Sequence, residues 1–108
     1  MARNDLQGTL DLLVLKALSQ LGSMHGYGIL QHIHRASDDL LRVEEGSLYP
    51  ALHRIEQSGW IASEWRPSDN NRRAKYYKLT RAGQKALEQE AAQWERLSAA
   101  ISLIVRTV

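Results

Sequence analysis

The side chains of this 108-residue chain with the clearest chemistry are cations on two adjoining stretches. Between Ser47 and Leu79 the sequence runs SLYPALHRIEQSGWIASEWRPSDNNRRAKYYKL. Over 46–81, Arg54, Arg66, Arg72, Arg73, Lys75, Lys78 and Arg81 face only Glu56, Glu64 and Asp69. That leaves a net +4 against +2 for the whole chain, so the remainder is net negative. Positive charge concentrated in this way marks a nucleic-acid face. On the first stretch, Ser47, Tyr49, Pro50, His53 and Arg54 are expected to meet DNA. The guanidinium of Arg54 matches O6 and N7 of guanine, which makes it the best base reader among them. On the second, Arg72, Arg73 and Lys75 beside Asn70 and Asn71 suit phosphate or minor-groove contact. The blander alternatives are a solvated helix side and charges that protect a hairpin edge. Three cations in four positions exceed what edge protection requires.

Other chemistries find little support. His25, His32, His34 and His53 include no nearby pair at the i, i+4 spacing of a helical metal clamp, so no metal site is expected. No acid pair, nucleophile–base set or phosphate loop stands out, so neither catalysis nor a cofactor is expected. The absence of cysteine removes disulfides and thiolate ligands together. Asp5 and Asp11 interrupt any signal-peptide pattern, and the longest aliphatic run, Leu12 to Leu15, is far too short for a bilayer. A soluble cytoplasmic protein without a membrane partner is the expectation.

The elements that must position these residues follow from periodicity. A first helix is predicted over Leu6–Leu21, with a stripe of Leu6, Leu10, Leu13, Val14, Ala17, Leu18 and Leu21. Leu12 and Leu15 lie off that stripe, so the helix is apolar almost all round and is expected to be covered on two sides. A second helix is predicted over about Gly26–Ser37, with Ile29, Leu30 and Ile33 inward and two glycines permitting close approach to a neighbouring helix. Ser47 looks like the N-cap of a third, whose buried face is Leu48, Ala51, Leu52 and Ile55. Gly59 stops it. Two strands, Trp60–Arg66 and Arg73–Leu79, then flank a polar turn from Pro67 to Asn71. A helix followed by a basic hairpin is the layout of a winged helix.

Thr80 caps a last helix that runs nearly to the end. Leu87, Ala91, Trp94, Ser98, Ile101, Val105 and Val108 recur along it at four-three spacing, and Leu97 and Ile104 widen the stripe. This seam, with the spare face of the first helix (Leu10 and Leu13), predicts a homodimer, and two-fold DNA sites call for two-fold proteins. Trp94, flanked by the small Ala91 and Ser98, is either dimer core or a platform for a flat aromatic ligand. The predicted fold is mainly α with a small β-hairpin. A winged helix-turn-helix unit over 1–81 and a dimerisation helix over 82–108 make up one compact domain.

GTLDLLVLKAL (8–18), HGYGI (25–29), EGSLYPALHRIEQSGWI (45–61) and SEWRPSDNNRRAKYYKLT (63–80) with Gly83 resemble the PadR family of bacterial transcription regulators. The resemblance covers about Leu6 to Trp94. It implies a homodimeric winged helix-turn-helix repressor whose first and last helices build the dimer. It also implies that the second helix, with Tyr27, joins the third helix and the wing on double-stranded DNA at an inverted repeat. The single C-terminal helix is like that of the short subfamily, some members of which hold flat aromatic drugs against a central tryptophan, here matched by Trp94. A winged helix used only for protein docking is the competing expectation.

Overall fold

A computed structural model describes residues 5–67, 70 and 72–107, with the backbone alone for residues 5–8. Its elements are α1 (Asp5–Leu21), β1 (Ser23–His25), α2 (Gly26–Ala36), α3 (Glu45–Gln57), β2 (Ile61–Pro67), β3 (Arg73–Leu79) and α4 (Arg81–Arg106). Mainly helical, with a winged helix-turn-helix layout, the fold is the one expected.

The sheet is larger than a hairpin. β1 pairs antiparallel with β3 on the side away from β2, giving the order β1-β3-β2. Ser23, Met24 and His25 lie opposite Lys78, Tyr77 and Tyr76, while β2 runs in register from Ile61 opposite Leu79 to Pro67 opposite Arg73. Side chains alternate between faces, so Ile61, Ser63 and Trp65 share one face with Lys75, Tyr77 and Leu79. Arg66 braces the other face. Its Nη2 donates to Ser23 Oγ at 2.6 Å, and its guanidinium lies 4.0 Å from the centre of the Tyr76 ring.

The core gathers Val14, Leu15, Ala17 and Leu18 of α1 with Ile29, Leu30 and Ile33 of α2. Leu48, Leu52 and Ile55 of α3, Ile61, Tyr77, Ala86 and Leu87 complete it. The buried faces expected for α2 and α3 are the ones observed. That of α1 is rotated from the expected stripe: Leu15 is fully buried and Asp11 nearly so, whereas Leu10 and Leu13 are half-buried. The apolar girth of α1 hides which side meets the core.

Two further expectations change. Ser47 is not the N-cap of α3. Glu44 takes that place without a side-chain cap bond, and its carbonyl accepts from Ser47 N and Leu48 N at 3.0 Å each. Pro50 therefore lies inside the helix rather than in its third position, and the missing N–H leaves the Gly46 carbonyl without its helical donor. Leu87, assigned to a dimer seam, is buried in the chain's own core.

α4 starts as the sequence indicates, with Thr80 Oγ1 accepting from Gly83 N at 3.0 Å. Its buried residues are Gly83, Ala86 and Leu87. Beyond them it projects as an arm that stretches the molecule to 58 × 28 × 22 Å. Along the arm Trp94, Leu97, Ile101, Ile104 and Val105 are exposed, and Ala91 and Ser98 are partly covered.

Candidate nucleic-acid interface

α3 and the wing formed by β2 and β3 are held in a fixed relation. From α3, Glu56 accepts a short hydrogen bond from Ser63 Oγ of β2 through Oε2 and a 3.3 Å bond from Lys75 Nζ of β3 through Oε1. The Ser63 hydroxyl, then Lys75 and His53, hold the Glu56 carboxyl below its ordinary pKa, against partial burial that raises it. A carboxylate ionised at neutral pH therefore clasps helix to wing. Lys75 also lies 5.6 Å from the centre of the Tyr77 ring. This lysine, expected to meet phosphate, is thus already engaged within the fold.

Between α3, the start of α2 and the wing runs a groove of about 500 Å³ lined by His25, Gly26, Tyr27, Tyr49, Trp65, Asn70, Ala74, Lys75 and Tyr77. Gly26 makes it possible. A Cβ there would lie 2.8 Å from the Tyr49 ring, so the close approach foreseen for this glycine is to an α3 side chain. His25 caps α2 by accepting from Gly28 N at Nδ1, 3.0 Å away. Desolvation raises the pKa of Tyr49, and Glu45 adds to it. For Tyr77 the causes are desolvation, then Glu56 and Tyr49. Both phenols therefore remain protonated, with hydroxyls able to donate.

Of the residues expected at DNA, Tyr27, Ser47, Tyr49, Pro50, His53, Arg72 and Arg73 are exposed, on α2, α3 and the wing. Asn71 lies outside the described residues. Arg54, expected as a base reader, is partly exposed, and its Nη2 donates to Asp11 Oδ1 at 2.8 Å. Trp65, 59% exposed on the groove side of β2, was not foreseen. Strand alternation could have found it, since it shares a face with Ser63 and Tyr77. The remaining histidines act locally: His32 Nε2 meets Gln20 Oε1 at 2.9 Å, and His34 Nε2 accepts from Val43 N at 2.9 Å. Among the described residues, no group of three or more His, Asp or Glu converges as a metal site would require.

The family model for PadR-like transcriptional regulators matches residues 14–89, from the core of α1 into α4. This chain belongs to the PadR-like family. A transcriptional regulator of Mycobacterium tuberculosis is 37% identical over 75 residues, which span 69% of this chain and 66% of that protein. Among solved structures, a transcriptional regulator from Clostridium thermocellum superposes with a TM-score of 0.84 at 31% identity, covering 95% of this chain and 100% of that one. A PadR-like transcription factor from Bacteroides fragilis gives 0.73 at 31% identity over 91% of each chain. In this PadR-like transcriptional regulator α2 and α3 stand as the two helices of a helix-turn-helix, followed by the wing. No helix among the described residues is long and apolar enough to cross a membrane.

Proposed function

We propose that this PadR-like regulator is a cytoplasmic repressor that binds an inverted-repeat promoter site as a homodimer and has no catalytic role. The observation that carries the reading is the clasp through Glu56, which presents the exposed side of α3 and the basic wing as one surface. Tyr27, Ser47, Tyr49, Pro50 and His53 form the helical part of that surface, with Arg72 and Arg73 on the wing; Asn71 is assigned with them from sequence. Residues 1–81 are the DNA-binding unit and 82–108 the dimerisation helix. The exposed Trp94, Leu97, Ile101, Ile104 and Val105 supply the seam, adjoined by Ala91, and the half-buried Leu10 and Leu13 supply its α1 side. A flat aromatic effector seated on Trp94 between Ala91 and Ser98 releases the DNA.

A gel-shift series on DNA from upstream of the protein's own gene tests this reading. Basic contacts to phosphate release counterions, so about six to ten of them per dimer make affinity fall by orders of magnitude from low to moderate salt. Arg73→Ala is expected to weaken binding on every sequence and to flatten that salt dependence. A protein that retards no promoter fragment at low salt is a docking module instead.

A further inference from the structure

Asp11 lies mid-way along α1 and is only 5% exposed. A carboxylate in such a place is costly unless a cation answers it. The answer comes from α3, where Arg54 Nη2 donates to Asp11 Oδ1 at 2.8 Å while the guanidinium side chain stays 37% exposed. Arginine keeps its charge and holds a directional bond, so this contact fixes an orientation as well as a distance. It joins two helices with different duties. α1 packs against α4, which carries the exposed apolar arm, and α3 carries Tyr49, Pro50 and His53. Pro50 lies one turn before Arg54, so a rotation of α3 about its axis that broke the bond would also swing the DNA-facing residues.

We propose that Asp11 and Arg54 are positioning residues for operator recognition. Their ion pair sets the rotation of α3 against α1 and, through α1 and α4, the spacing of the two α3 helices in the dimer. Arg54 then shapes sequence preference without touching a base. This inference rests on the DNA-binding dimer reading above.

The test uses the full chain and a duplex that the wild type selects from a random-sequence pool, with poly(dI-dC) as the unspecific competitor. Asp11→Asn, Arg54→Gln and the double variant are compared far below their melting temperatures, with the folded dimer fraction measured for each. Each single variant is expected to lose about tenfold in affinity for the selected duplex, and the double variant no more than either, because the two residues act as one unit. Affinity for poly(dI-dC) stays near wild type, and single-base changes across the half-site show the lost discrimination spread over several positions. If Asp11→Asn does not fold, Asp11→Glu, which keeps the charge but displaces it by one methylene, supplies the same comparison.

Three results overturn the proposal alone. In the first, Arg54→Gln relaxes one base position and Asp11→Asn none, which makes Arg54 a direct reader. In the second, the losses add. In the third, the variants melt lower while the folded dimers keep wild-type preference, which leaves the pair a structural brace. A wild type that selects no duplex at all removes the DNA-binding reading, and this proposal falls with it.

Discussion

Glu56 of α3 and Lys75 of β3 face each other across 3.3 Å, with Ser63 of β2 on the other carboxylate oxygen. The first consequence is an acid-sensitive clasp. A carboxyl whose pKa is lower in the folded chain than in the unfolded one stabilises the fold while ionised. That contribution is complete above the ordinary value of 4.5 and is lost as pH falls through the lower folded value. Glu56→Gln cannot ionise and lacks this dependence. The melting-temperature gap between wild type and Glu56→Gln should therefore be widest near neutral pH and close as the pH drops below about 4.5. Parallel curves down to pH 3 would show that ionisation of Glu56 adds nothing to stability.

The same contact bears on DNA affinity. An amine committed to Glu56 is partly neutralised, and the carboxylate repels an approaching phosphate. Glu56→Gln frees Lys75 and removes that repulsion. Binding to random duplex DNA, which depends on charge more than on a fixed relation of helix to wing, should strengthen, and the slope of log affinity against log salt should steepen by about one per subunit. An unchanged slope would mean that Lys75 stays outside the DNA contact even when released.

A second close contact fixes α4 to the sheet. A Cβ on Gly83 would overlap the carbonyl oxygen of Trp60. That carbonyl cannot retreat easily, because it accepts from Thr80 N at 3.1 Å while Thr80 Oγ1 donates to the Gly59 carbonyl at 2.6 Å. Alanine is ordinarily the better helix residue by about 1 kcal/mol. Here overlap with fixed backbone outweighs that preference, and Gly83→Ala should lower stability by roughly 2–3 kcal/mol, a fall of about 10–20 °C in Tm for a domain of this size. A variant as stable as wild type would mean that the Trp60–Gly83 approach relaxes at little cost.

How legible each element was depended on whether its signal is local. The wing strands alternate, so their limits were legible to within a residue, and Thr80 announced α4 by the chemistry of its side chain. β1 was invisible because three residues carry no periodicity, and its pairing partner lies more than fifty positions away. α3 begins before Ser47 because a backbone carbonyl, that of Glu44, closes its first turn where a side-chain cap was expected. The stripe along α4 looks continuous from Leu87, yet Leu87 serves the chain's own core and Trp94 does not. A heptad pattern cannot show where one helix face changes partner. Nor could sequence pair Asp11 with Arg54, since only the packing of α1 on α3 brings them together.

The exposed arm leads to a prediction about assembly. Trp94, Leu97, Ile101, Ile104 and Val105 lie on one side of α4 with little cover from their own chain. An apolar strip of this kind is stabilised by a symmetric copy. Light scattering at micromolar concentration should give the mass of a dimer. Ile101→Asp would bury an unpaired charge at the seam, a cost of several kcal/mol, and should yield monomer. Because Ile101 lies far beyond Leu87, that monomer should keep its helical circular-dichroism signal. Its affinity for an inverted repeat should fall, since two half-site contacts are no longer joined. A wild-type monomer that still binds an inverted repeat tightly would contradict the assembly.

The proposed effector site can be tested at Trp94, which is 47% exposed on the arm. Ala91 and Ser98 flank it along the helix, and the Ser98 hydroxyl is turned back to the Glu95 carbonyl at 3.2 Å. Two of the helix neighbours of the indole are therefore small, and its flat face suits stacking with an aromatic ring. A ligand held there between two copies can relieve repression only by favouring the DNA-free conformation, and about 1.4 kcal/mol of preference already shifts the equilibrium tenfold. Trp60 and Trp65 also fluoresce, so wild type must be compared with Trp94→Ala. Titration with planar aromatic compounds should quench the wild type more than Trp94→Ala, and the compounds that do so should release the wild type, but not the variant, from its DNA. Equal quenching in both proteins, or binding that leaves the DNA complex intact, would reduce Trp94 to a packing residue of the dimer.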